Sequence, residues 1–209
     1  MTHPTYSMTR TALALSLICL PGISTYAQSI SPQPEAGLWR SEATTLINGI
    51  DLQAALRVSQ EDMFKDLPEE QRAMLREALG NPEEVGVNME CITAEEARSL
   101  TNPEKLIESA RRDMPECRLQ VEETSDSSMR ILGNCAGSDG FSGDMHGELT
   151  MVSSREMRTR FTGQGIMQMD TEQAPDNLQS IATGEPVNIE HSEKSTWVSA
   201  DCGDIQSGG

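Results

Sequence analysis

"CRLQVEETSDSSMRILGNCAG", from Cys117 to Gly137, is two alternating apolar–polar runs on either side of a polar turn. Alternation with period two gives strands with one apolar face, and the turn from Thr124 to Ser128 folds them into a hairpin. Folding back about Asp126 puts Cys117 almost opposite Cys135, within bonding reach if the register allows. The same texture continues downstream. "FSGDMHGELTMVSS", "EMRTRFTGQGIMQM" and "PVNIEHSEKSTWVSA" all alternate, with Gly, Ser and Asp at the joints. The C-terminal half is therefore expected to be an antiparallel meander.

Upstream of the hairpin the periodicity changes. "LWRSEATTL", after Gly37, suits a first strand. In "SQEDMFKDLPEEQRAMLREAL" the residues Met63, Leu67, Met74, Leu75 and Leu79 recur at helical spacing. Ser59 with Asp62 resembles an N-cap, Gly80 is a stop, and Pro68 divides the run into two helices or kinks it. "EEVGVNMECI" reads as a strand with Val85, Val87, Met89 and Cys91 on one face. Thr93 caps "AEEARSL" with Glu96 in the reciprocal position, and Asn102 to Met114 is a further helix with Pro103 in its first turn. The fold class is β-rich α+β. An antiparallel meander, either an open curled sheet or barrel-like, carries short helices inserted between the early strands, at about 59–79 and 93–114.

The first residues read as an address. Thr2 to Arg10 carries one basic residue and no acid, "TALALSLICLPGIS" is apolar, and "TYA" ends in a small residue. That is the pattern of a secretory signal peptide over 1–27, with Met8 as an alternative start. The apolar run is too short for a membrane span, and Ile18 before Cys19 does not suit a lipoprotein signal. A polar, proline-broken stretch, 28–36, is expected as a flexible leader. One domain then covers 37–205, and 206–209 is a tail. Export to the periplasm of a Gram-negative bacterium is the expected location, with no membrane span after signal removal.

The formal net charge is −17, and the signal removes one arginine and no acid. Such a charge repels nucleic acid and sets DNA binding aside. Its ordinary meaning is solubility.

Without Cys19 the exported chain keeps Cys91, Cys117, Cys135 and Cys202. An even count in an exported chain argues for two disulfides, and sequence alone allows three connectivities. The hairpin favours Cys117–Cys135, which leaves Cys91–Cys202. The second link would close a loop of roughly a hundred residues and contribute on the order of 4–5 kcal/mol in the chain-entropy picture. No two of these cysteines have the spacing of a metal knuckle or a redox pair.

"GLWR" after the signal, "LPEEQRAMLREAL", "CITAEEA", "ECR", "GNC" and the terminal "WVSADCGDI" together resemble the bacterial family known as domain of unknown function 3617. The resemblance spans nearly all of the exported chain. It implies an envelope protein with four paired cysteines and a mostly antiparallel β fold. It implies no activity, so no catalytic residue is carried over. "EATTLINGIDLQAAL" is less glycine-rich than the family pattern.

Chemistry-bearing residues are sparse. His146 and His191 each have carboxylates nearby in sequence, and with Met145 they could supply a His/Met/carboxylate metal site if their strands were neighbours. The plainer use is two solvent-facing histidines and methionines that fill a core poor in aromatics. "GFSGD" lacks the strand–elbow–helix setting of a serine nucleophile, and the acids around it lack EF-hand spacing. No cofactor is indicated. Trp39, Met167, Met169 and Trp197 are candidates for lining a small cavity within a curled sheet. The reading favours a non-catalytic binding or accessory module for a small apolar ligand or an envelope partner. A periplasmic metal-handling protein is the alternative. An enzyme would be marked by dispersed acids converging with perturbed pKa values. The helices from Met63 to Leu79 could also present an amphipathic face to another protein.

Overall fold

A computed structural model describes residues 29–137, 140–168 and 183–205. The expected signal peptide over 1–27 with Cys19, Met169, and the expected tail 206–209 lie outside the described residues. Eight strands form one sheet: β1 (Gly37–Ile47), β2 (Ile50–Asp51), β3 (Val87–Ile92), β4 (Cys117–Thr124), β5 (Ser128–Ala136), β6 (Gly140–Ser153), β7 (Glu156–Gln168) and β8 (Thr183–Ser199). Its order is β2-β1-β8-β7-β6-β5-β4, with β3 also paired to β1. Strands β4 to β8 are the expected meander. The sheet stays open: β4 pairs only with β5, so the barrel-like option is not realised.

The hairpin that opens the meander needs a local adjustment. Near its turn Thr124 faces Met129, a register that carried on unchanged would set Cys117 against Ala136. A bulge between Val121 and Glu123 shifts the ladder by one residue, and Cys117 then faces Cys135. Their sulfurs stand at disulfide distance, 2.00 Å.

Four helices are inserted between β2 and β4. They are α1 (Leu52–Lys65), α2 (Glu69–Leu79), α3 (Ala94–Ser99) and α4 (Pro103–Asp113). Thr93 and Glu96 cap α3 reciprocally, as expected, and Asn102 caps α4. The start of α1 departs from the sequence reading. Its cap is Asp51, whose carboxylate accepts from the Ala54 amide at 2.9 Å, so the helix begins before Ser59. "LQAALR" consists of strong helix formers and propagates as soon as a cap is supplied. Pro68 separates α1 from α2 into two helices.

The strand expected over Glu83 to Ile92 is shorter, because Pro82–Glu84 forms a 3-10 turn and Gly86 takes φ +86° before β3 begins. Its phase also differs. Glu90 faces Trp39 and Asn88 faces Ser41, so Asn88, Glu90 and Ile92 share the helix-covered side of the sheet. The apolar set Val87, Met89 and Cys91 takes the other side. Ile92, buried beside α3, fixes that choice.

One face of the sheet, the inner face, carries the helices. Trp39, Met129, Met151 and Met157 form its main core with Ile92 and Ala97, and Leu100 and Leu106 from α3 and α4 pack on it. Ile107 of α4 covers the Cys117–Cys135 pair and Leu119. At the other end Leu52, Ala55 and Leu56 of α1 cover Ile47 and Val187. The opposite, outer face has no helix packed on it among the described residues.

The leader expected to be flexible is docked from Ile30 onward. Ile30 is buried in the main core and its amide donates to the Thr101 carbonyl at 2.9 Å. Both tryptophans hold this segment: Trp39 Nε1 donates to the Glu35 carbonyl at 2.9 Å and Trp197 Nε1 to the Ala36 carbonyl at 3.1 Å. The Arg155 guanidinium stacks 4.5 Å over the Trp197 ring and grips the Glu35 carboxylate at 2.8 and 3.1 Å. Cys202 lies beyond the end of β8 and its sulfur is 1.97 Å from that of Cys91. Strand β1 runs between β8 and β3, so this link passes over β1 instead of joining neighbouring strands.

Candidate functional site

Register separates the histidines. Across the sheet, His146 is in line with Thr162 and Glu190, and His191 is in line with Phe161 and Gly147. Laterally paired residues share a face, and adjacent residues on a strand do not. His146 therefore lies on the outer face, His191 on the inner face, and β7 stands between their strands. A site joining both is excluded by the pleat. Met145 is a core residue: it packs with Leu119 and Cys135, its sulfur 3.7 Å from that of Cys135. No group of three or more His, Cys, Asp or Glu side chains suited to a metal ion occurs among the described residues.

Of the residues expected to line a cavity, Trp39 and Trp197 are brought together, directly opposite each other on β1 and β8, and Met167 is not with them. Trp39 is 0% exposed and is core. Trp197 lies against that core with its indole N–H used on the leader. Met167 packs with Ile47 and Val187 beneath α1, at the other end of the sheet. Met169 lies outside the described residues.

What the fold does bring together is a set of polar groups on the face that should be apolar. On β8 the inner positions run Val187, Ile189, His191, Glu193, Ser195 and Trp197. Ser195 is buried and its hydroxyl donates to Glu193 Oε1 at 2.9 Å. Its only proton is thereby used, so the buried Ser41 hydroxyl must donate to Ser195 Oγ across 2.8 Å. Beside this chain His191 Nδ1 lies 3.0 Å from Thr45 Oγ1, which accepts from Gln53 Nε2 of α1 at 3.1 Å. The Phe161 ring tilts toward the imidazole, 6.0 Å between centroids. It can lie flat there because Gly147 is opposite: a Cβ at that position would meet the ring at 2.5 Å.

Glu90 reaches the same region from β3. Burial raises its carboxyl pKa above the usual carboxylate range, and the charges of Glu193 and Glu96 raise it further. No cation pairs with it among the described residues. Glu90 also forms part of a pocket of about 290 Å³ between β3 and the α3–α4 pair. Ile92, Leu100 and Leu106 give that pocket apolar walls, and Glu96 and Lys105 stand with Glu90 as its charged groups.

From the sequence, Glu96 had only a capping role and Glu193 only a place among the carboxylates near His191, and Glu90 was passed over. A signal existed for Glu193, which breaks the apolar phase of β8 between His191 and Trp197. Glu90 had none, because the apolar phase of β3 pointed to the wrong face.

An open antiparallel sheet with one helix-covered face, two cysteine pairs at disulfide distance and a half-apolar acidic pocket defines a β-rich α+β domain. The chain belongs to the family described as Protein of unknown function (DUF3617), which matches residues 34–202. No curated protein and no solved structure matches the chain.

Proposed function

We propose that the chain is an exported, non-catalytic binding module of the bacterial envelope. It takes a small ligand with an apolar body and a cationic or hydrogen-bond-donating end in the pocket between β3 and α3–α4. The observation that carries this reading is Glu90: a carboxylate desolvated by burial, facing two further carboxylates, with no cation on it. Such a group costs the fold stability and is relieved by a donor brought from outside. The apolar walls suit the remainder of a small ligand. Export is supported by the two cysteine pairs at disulfide distance.

The test is native mass spectrometry of the chain released gently from the envelope of its host. An added mass that leaves on collisional activation, and that is lost in Glu90→Gln, is the expected result. A bare chain from every preparation would overturn the small-ligand reading.

A further inference from the structure

The free edges of the sheet are finished differently. On β4 the outward backbone is taken. The Cys117 amide donates to the Met114 carbonyl at 3.0 Å, the Arg111 guanidinium of α4 donates to the Leu119 carbonyl at 2.6 Å, and a bulge follows Val121. Such devices keep an edge strand from pairing with another chain. Strand β3 pairs with β1 alone and carries none of them among the described residues. The Ala43 amide donates to the Gly86 carbonyl at 2.7 Å, so the backbone of Asn88, Glu90 and Ile92 also faces β1. The N–H and C=O groups of Val87, Met89 and Cys91 point the other way, and nothing bonds to them among the described residues. Met89 is exposed at this edge. The pocket between β3 and α3–α4 opens onto the same edge, because Glu90 and Cys91, from opposite faces of the strand, both line it.

The edge is also acidic. Residues 83–96 carry Glu83, Glu84, Glu90, Glu95 and Glu96 and no lysine or arginine. None of these carboxylates is in an ion pair among the described residues. Lys105 of α4 is the cation among the pocket's lining residues, where Glu90 and Glu96 outnumber it.

We infer that β3 takes an extended basic segment of another protein as an added antiparallel strand. Residues of that segment opposite Val87, Met89 and Cys91 exchange backbone hydrogen bonds with them and carry apolar side chains on the outer side, beside Met89. The alternate residues, opposite Asn88 and Glu90, are lysines or arginines. Their stems lie on the apolar pocket walls and their charge meets Glu90. A second copy of this chain fits less well, because self-pairing brings two acidic stretches together. The inference shares Glu90 with the small-ligand reading and goes beyond it, since its main contact is strand backbone.

The test is titration calorimetry of the full exported chain at physiological ionic strength, where only close charges act. The probe is an end-blocked peptide of alternating lysine and valine, as long as β3. Saturable binding is expected, with none for the glutamate–valine counterpart. N-methylation of the valines removes the donors aimed at β3 and should weaken binding by more than about tenfold. Met89→Pro removes an outward amide and spares the β1 ladder, and should weaken it by about tenfold. Glu90→Gln should weaken it by about threefold. Amide shifts on the unsubstituted chain should centre on residues 86–92, which locates the site even if Met89→Pro misfolds. Equal binding of the N-methylated peptide would overturn strand addition while leaving the small-ligand reading in place. Absence of saturable binding, shifts centred elsewhere, or a dimer of the chain alone that Met89→Pro abolishes would overturn it as well.

Discussion

The two faces of the sheet come from the same strands and obey different physics. On the inner face Trp39, Met129 and Met151 lie fully buried beneath helices, and burial there contributes most of the stability. On the outer face Arg158, Arg160, His146 and Glu190 face water, where single substitutions change stability little. A clean division would leave the inner face wholly apolar. It does not, because Glu90, Glu193, Ser195 and His191 interrupt it. The exceptions to the pleat's division are therefore more informative than either face taken alone, and each experiment below tests one side of that contrast.

The largest expected effect concerns the two cysteine pairs at disulfide distance, of which Cys117–Cys135 lies on the inner face and Cys91 on the outer. Cys91 and Cys202 are 111 residues apart in sequence and Cys117 and Cys135 are 18 apart. Chain entropy gives about 4.8 kcal/mol for the longer loop and about 3.2 for the shorter. Cys91→Ser/Cys202→Ser should therefore lower the free energy of unfolding in urea more than Cys117→Ser/Cys135→Ser does. The reverse order is the outcome to look for if the buried packing of Cys117 and Cys135 beneath Ile107 outweighs loop length.

Next comes the direct comparison of faces. Met129→Ala empties a fully buried site and should cost about 3 kcal/mol. Thr162→Ala, at an exposed position of the outer face, should stay within about 0.5 kcal/mol. Similar losses at both positions would mean that the outer face is covered in solution by something that packs on it.

The sequence made one of these faces legible and not the other. Alternation through "CRLQVEE" and the runs after it was enough to place five meander strands, because period two survives in any antiparallel sheet with one buried face. The Thr93–Glu96 cap was readable because capping is local. Pairing order was not. That β1 lies between β8 and β3 depends on contacts between residues far apart in the chain. For the same reason the opposite orientation of His146 and His191 could not be read from their spacing. The docking of Ile30 was hidden as well: "SISPQPEAG" has a loop's composition, and its place in the core is set by Trp39, Trp197 and Arg155, which belong to three different segments.

That docking gives an acid-sensitive contact at the rim of the inner core. Hydrogen bonds from Arg155 hold the Glu35 carboxyl below its ordinary pKa. A lowered folded-state pKa adds stability above the unfolded value, and that stability is lost as pH falls through the folded value. Glu35→Gln should therefore be less stable than the unsubstituted chain at neutral pH. The two should converge as pH is lowered through the carboxylate range, which thermal unfolding at a series of pH values will show. A difference that persists unchanged at low pH would mean that the leader is held by the tryptophans and Ile30 alone.

Glu90 is the opposite case and gives the smallest effect. Its folded-state pKa is raised by burial, then by Glu193 and Glu96, so folding favours its protonated form. Stability linked to a raised carboxyl is present at low pH and is lost as pH rises through the folded value. Glu90→Gln removes the charge and keeps the shape. It should be more stable than the unsubstituted chain at neutral pH by less than about 1 kcal/mol, because the carboxyl is only half buried. The gain should vanish as pH falls. A side chain that weakens its own fold and is relieved by losing its charge is placed for something other than packing, and binding through that charge would account for its presence. If Glu90→Gln is instead destabilising at neutral pH, the carboxylate already has its partner within the fold. The polar interruption of the inner face would then be architecture, like the rest of that face.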